Sequence, residues 1–146
     1  MRRNGFAAAA LVGLAIAVAG CAGTTTAATT KAPSPAKVQA VPGKDVKSVT
    51  LTEQANRRLA IETVAVAAAA SGTSVPYSAV VYSADGKTWV YTVTQPLTYV
   101  REAVTVANVG GSDGTVAFLS AGPPAGTTVV KTGVPELYGA ELGVGK

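Results

Sequence analysis

The 146-residue chain has no histidine, one cysteine, one methionine and one tryptophan. Without histidine it lacks the side chain that most often moves protons near neutral pH, so enzyme chemistry would have to rest on carboxylates. A lone cysteine forbids an internal disulfide, and the folded part must therefore be held by its apolar core alone. Charge is also sparse, at 14% of residues, and aromatics make up 5%. The formal charge is +4, but Arg2 and Arg3 sit at the extreme N-terminus; without them ten Lys/Arg face eight Asp/Glu. Scattered cations with few aromatics do not make the basic, stacking face of a nucleic-acid binder, and no nucleic-acid partner is expected. Nor is there an apolar run of the roughly 20 residues that a membrane-spanning helix needs.

The longest uncharged run, Phe6 to Val18, follows Arg2 and Arg3 and precedes the small pair Ala19-Gly20. This is the three-part layout of a secretory leader, predicted over 1–20. Val18-Ala19-Gly20-Cys21 resembles the bacterial lipobox, in which the cysteine thiol takes a diacylglycerol. Cys21 is thus the expected lipid-attachment residue; an ordinary leader that happens to end near a cysteine is the competing reading. Two acyl chains bury many methylenes at about 0.8 kcal/mol each, enough for durable membrane attachment. The expected location is outside the cytoplasm, anchored to the outer face of the cytoplasmic membrane or in the periplasm. From Ala22 to about Gly43 the chain is rich in Thr, Ala, Pro and Lys, with Pro33, Pro35 and Pro42 opposing regular structure. Residues 21–47 are expected to be a flexible tether, with a reach of tens of ångströms at about 5–6 Å × √n.

Residues 48–146 read as the folded domain. Thr52 offers an N-cap hydroxyl to a two-turn helix over Glu53–Leu59, which must lean on the core through Ala55 and Leu59. Ile61–Ala70 alternates as a strand does, although its alanines suit a helix equally. Beyond Gly72, short Val/Thr/Tyr runs alternate with Gly, Pro and Asp. Ser74–Ser83 and Thr88–Thr94 flank Asp85-Gly86, a tight hairpin turn in which Val81 faces Val90, or Tyr82 faces Trp89, with Trp89 buried. Thr98–Val109 is a strand, with a bulge near Glu102 to align Val100, Val104 and Val106. Gly110–Gly114 is a turn, Thr115–Ser120 a strand, Gly122–Gly126 a turn and Thr127–Thr132 a strand. The Gly-rich end, Val134–Lys146, is expected to wrap the surface. The predicted class is all-β: a small antiparallel β-barrel or sandwich of five to seven short strands with one short helix.

Several blocks in order, Val75–Val81, Asp85–Tyr91, Arg101–Val106, Gly122 with Gly126–Gly133, and Glu136–Glu141, resemble the membrane-proximal end of periplasmic adaptor subunits. These are the membrane fusion proteins of RND-type efflux systems. Leu51–Gln54 and Arg58–Thr63 are similar to the start of that family's folded region. The resemblance implies a β-rich module that docks on an inner-membrane transporter or another envelope protein. Known adaptors also hold a lipoyl-like domain and a long helical hairpin, for which no segment here has the length or heptad pattern. Metal-exporting members use Met or His ligands, and the chain beyond Met1 has neither, so no metal and no cofactor is expected.

The eight carboxylates are Asp45, Glu53, Glu62, Asp85, Glu102, Asp113, Glu136 and Glu141. Several fall in turns or beside cations, where solvation accounts for them, and no catalytic residue is assigned. Gly110-Gly111-Ser112-Asp113-Gly114 lacks the Lys and the following helix of a phosphate loop. Arg57-Arg58 either meets acidic headgroups or forms a solvated helix face. Tyr77, Tyr82, Tyr91, Tyr99 and Tyr138 serve either an interface strip or sheet packing. The expected function is a lipid-anchored, non-catalytic accessory module of a transport system. The alternatives are a free-standing structural envelope lipoprotein and a carrier with an apolar pocket in its barrel.

Overall fold

The computed structural model describes residues 34–144. The predicted leader, Cys21 and the first part of the predicted tether lie outside the described residues.

Strands β1 (Ala36–Ala40) and β2 (Lys47–Leu51) form a hairpin that leads into helix α1 (Glu53–Arg58). Strands β3 (Glu62–Ala65) and β4 (Ala67–Ala69) follow as two pieces of one segment, then β5 (Gly72–Pro76) and a 3-10 turn over Tyr77–Ala79. Next come β6 (Val81–Tyr82), β7 (Thr88–Gln95), β8 (Thr98–Gly110), β9 (Val116–Ala121), β10 (Thr128–Thr132) and helix α2 (Val134–Leu142). Every strand pairing is antiparallel.

The main sheet runs β3-β10-β7-β8-β9-β5-β4. Its two ends are β3 and β4, which are separated only by Val66, so the sheet curls back on itself into a nearly closed barrel. Two features make the curl. Val66 bonds to β10's approach, its N–H donating to Thr127 O and its carbonyl accepting from Gly126 N, both at 2.8 Å, after which the segment turns to pair with β5. β8 is long enough to serve two partners on one edge, β2 along Ser48–Thr50 and then β9 from Thr105 onward. Register irregularities at Thr105–Asn108 bend it between them.

The curl creates two cores. Val66, Val75, Val90, Val104, Ala117, Leu119 and Val129 fill the barrel interior. Outside it, Val49, Leu51, Ala55, Val81, Tyr91, Tyr99, Val130, Val134 and Leu137 form a second core, where both helices and the β1–β2 hairpin cover the sheet's outer face. Neighbouring residues therefore split between cores: Val90 points in and Tyr91 out, Val129 in and Val130 out.

The helix start follows the sequence rule: Thr52 Oγ1 accepts from Ala55 N at 3.1 Å, and Ala55 is buried. The Asp85-Gly86 hairpin forms as well, although only Gly86 has a positive φ, +79°, and Ser83 O accepts from Gly86 N. This is a type I turn closed by a left-handed glycine, and it shifts the pairing by one residue from the expected register. Val81 faces Trp89 and Tyr82 faces Thr88.

Other expectations need correction. Ala36–Ala40, placed in the tether, is a strand, because Val38 packs on the outer core and the segment pairs fully with β2. Ser74–Ser83 is not one strand; the turn at Tyr77–Ala79 interrupts it. No bulge occurs at Glu102, because Val100 and Val104 already share one face of a regular stretch; the irregularities of β8 lie further on, at Thr105–Asn108. Trp89 is half-buried rather than buried. Val134–Leu142 is a helix, not a surface wrap, with Pro135 in its first turn. At its end Gly143 has φ +80°, and the Val144 N–H reaches back to Gly139 O at 2.9 Å.

Leu137 is fully buried on α2, whereas Leu142 is 58% exposed. Leu137→Ala is expected to cost about 2–5 kcal/mol, and Leu142→Ala less than about 0.5 kcal/mol. Urea unfolding of both variants checks that α2 belongs to the core; equal small effects would contradict it.

Candidate functional site

Polar chemistry converges in one place, where α2 meets the outer face of β7 and β8. Across that ladder Tyr91 lies directly opposite Arg101, so both side chains stand on the same face. Helix α2 places Glu141 over them. Its positions Val134, Leu137, Tyr138 and Glu141 recur at the i, i+3, i+4, i+7 spacing of a buried helical stripe, and Glu141 is a carboxylate at a core position.

Glu141 is 3% exposed and has every oxygen engaged. Oε2 accepts from the Tyr91 hydroxyl at 2.6 Å and lies 2.7 Å from Arg101 Nε, while Oε1 accepts from the Lys47 amide at 3.2 Å. The Arg101 N–H is angled off a hydrogen bond, so charge attraction rather than a directed bond joins the pair. The guanidinium carbon sits 4.6 Å from the centroid of the Trp89 ring and 5.3 Å from that of Tyr138. Both contacts lie within cation–π range. Trp89 is held in turn by its indole N–H, which donates to Ser83 Oγ at 2.9 Å.

Burial, reinforced by the hydrogen bond to Glu141, pushes the Tyr91 hydroxyl well above the ordinary tyrosine range. Tyr91 therefore acts as a fixed proton donor. The acid and the phenol spend their capacity within the cluster, whereas the Arg101 N–H groups make no hydrogen bond to another described residue.

Asp45 lies nearby, on the β1–β2 turn, and other carboxylates lie apart. Glu53 pairs with Arg57 on exposed α1, Asp85 with Lys87 in the hairpin turn, and Glu62 with Lys131 beside β10. The Ser83 hydroxyl and then Lys87 hold the Asp85 carboxyl well below its ordinary range; Lys131 does the same, more mildly, for Glu62. Among the described residues no three His, Cys, Asp or Glu side chains gather as a metal site. Gly110–Gly114 is the turn between β8 and β9. The five tyrosines form no single strip: Tyr91 and Tyr99 are buried, while Tyr77 and Tyr82 stand exposed edge to face, 6.3 Å apart. Tyr99 donates to Asn56 Oδ1 at 2.6 Å and so ties α1 to β8.

No family model, curated protein or solved structure matches the chain. Its surface must speak for itself. Two open grooves flank the barrel, one of about 490 Å³ at the seam between β3, β5 and β10, the other of about 510 Å³ beside Tyr82 and the outer stretch of β8. Among the described residues no helix is long and apolar enough to cross a membrane.

Reading Arg101 as one side of a buried pair was possible only from Glu141's place on the α2 stripe, since a buried carboxylate demands a cation. Glu141→Gln leaves Arg101 without its counter-charge and is expected to cost roughly 3 kcal/mol or more. Tyr91→Phe, which loses one charge-assisted bond, should cost about 1.5–3 kcal/mol.

The raised Tyr91 pKa also sets an alkaline limit. Below the unfolded tyrosine pKa of about 10, both states hold the Tyr91 proton, and this group adds no pH dependence to stability. Above it the unfolded chain loses a proton that the folded chain keeps, so stability falls by up to about 1.4 kcal/mol per pH unit. Tyr91→Phe should flatten that slope in denaturation series from pH 9 to 11; an unchanged slope would contradict the assignment.

Proposed function

We propose that the protein is an exported, Cys21-anchored envelope lipoprotein whose barrel is a non-catalytic accessory module of a transmembrane transport system, similar to the membrane-proximal part of an RND-type adaptor. The observation that carries this reading is where the resembling blocks fall. Asp85–Tyr91 supplies Trp89 and Tyr91, Arg101–Val106 supplies Arg101, and Glu136–Glu141 supplies Tyr138 and Glu141. Three blocks far apart in sequence thus meet in one interlocked cluster, which supports reading them together as one module. Val75–Val81 and Gly126–Gly133 add parts of β5 and β10 of the same barrel and of β6, which pairs with β7 beside it.

The barrel's filling supports a protein-facing role over a carrier role. Val75, Val90, Leu119 and Val129 occupy the interior, each 2% exposed or less, where a carried ligand would need space. The open grooves, by contrast, offer strand edges and exposed tyrosines to a partner.

Two measurements test the reading. Radiolabelled palmitate should enter the wild-type protein and not Cys21→Ser, and the variant should move from the membrane to the soluble fraction. A photo-cross-linking residue replacing Tyr82 should capture an inner-membrane transport protein. Label retained in Cys21→Ser would refute the anchor. Anchoring without any transport protein captured would favour a free-standing structural lipoprotein.

A further inference from the structure

We propose that the cleft between the β1–β2 turn and the C-terminal end of α2 binds a phosphate group. The cleft encloses about 190 Å³, and its wall includes Lys44, Asp45, Lys47, Arg101, Glu141 and Leu142. That space is below the roughly 300–1,000 Å³ of pockets for drug-sized ligands and suits a single tetrahedral anion or the phosphate of a headgroup. The inference stands apart from the transport reading, because it rests only on this cleft.

Arg101 carries the selectivity. Its side chain is 11% exposed, and its faces are taken by Trp89 and Tyr138, which leaves the donors along its edge. A guanidinium has five N–H donors. Nε is fully buried against Glu141 Oε2, but the donors on the two terminal nitrogens make no hydrogen bond to another described residue. Stacking immobilises this fork in advance, and fork geometry matches phosphate oxygens.

The surrounding charges decide the sign of the ligand. Glu141 is already committed to Arg101, Tyr91 and the Lys47 amide. What remains is Lys44 and Lys47, both exposed and in no ion pair among the described residues, against Asp45. One positive charge is left over. The carbonyl end of α2 opposes an anion with only about half a unit charge. With Arg101 and Glu141 cancelling, the two lysines outweigh Asp45 and the helix end, and the free guanidinium donors can satisfy only an acceptor, so the balance favours an anion with several acceptor oxygens.

The phosphate could come from a lipid headgroup or from solution, and a titration separates the two. The full chain in non-ionic detergent micelles is titrated at constant ionic strength with inorganic phosphate and, separately, with dihexanoyl phosphatidylglycerol, while amide chemical shifts are followed. Saturable shifts are expected in residues 40–47 and 139–144. Lys44→Gln/Lys47→Gln, which alters only exposed side chains, should weaken binding about tenfold or more. Arg101→Gln should abolish it; where that variant fails to fold, the lysine variant alone decides. Saturation by inorganic phosphate alone identifies free phosphate as the source, by the lipid alone a headgroup, and by both equally the phosphate group itself. No saturable shift with either probe, or binding undiminished in the lysine variant, overturns the proposal.

Discussion

The architecture outside the barrel depends on one buried carboxylate. Glu141 reaches β2 through the Lys47 amide, β7 through Tyr91 and β8 through Arg101, so a single side chain fastens α2 to three strands. A nine-residue helix has little stability of its own, and α2 has only Val134 and Leu137 as fully buried apolar anchors. A buried ion pair contributes little net stability compared with a well-packed apolar substitute. What it contributes is position: a helix rotated by one residue, about 100°, would leave Glu141 and Arg101 each buried without the other. Apolar contacts attach the helix, and the charge pair sets its rotation.

That constraint explains why the central strands are apolar on both faces. A solvated antiparallel sheet alternates apolar and polar residues, whereas one covered on both sides reads as a continuous apolar run. Val90-Tyr91 and Val129-Val130 are such runs, each sending one residue into the barrel and the next beneath the helices. Strands at the rim revert to alternation, as in Gln39 and Thr50 around Val38 and Val49. The two cores therefore share β7 and β10 as a common wall. Enlarging a side chain on one face of that wall displaces a strand that also lines the other core.

Local signals were readable from sequence and long-range ones were not. The Thr52 cap, the Asp85-Gly86 hairpin, the Gly110–Gly114 turn and the all-β class rest on near neighbours, and the structure contains each of them. The one-residue shift at the hairpin arose because Asp-Gly suits two turn types that differ by one loop residue. Helix α2 escaped because its glycines read as flexibility, although Pro135 near the start and Gly143 past the end are the expected punctuation of a helix. β1 escaped because strand formation at Lys37-Val38-Gln39 depends on β2 and the outer core rather than on its own composition. The Arg101–Glu141 pair spans forty residues of sequence and has no local signature beyond a carboxylate on an apolar stripe.

The same division of surfaces limits what the domain can offer a partner. The barrel interior is filled and most of the outer face is roofed by α1, α2 and the β1–β2 hairpin; besides the groove beside Tyr82, two accessible sites among the described residues differ in kind. One is the incompletely paired seam, where β4 bonds to β5 only as far as the Ala67–Ser74 pair and the strand edges beyond it open onto a groove. Unpaired strand edges recruit other strands, so this seam suits a protein partner. The other is the small charged cleft at the foot of α2, where oriented donors suit an anion. Because Glu141 fixes α2 and Arg101 forms the cleft wall, the interaction that seats the helix also holds the guanidinium in place. Loosening the pair would therefore degrade the cleft before it reached the seam, which is framed by β3, β5 and β10 and draws its support from the inner core.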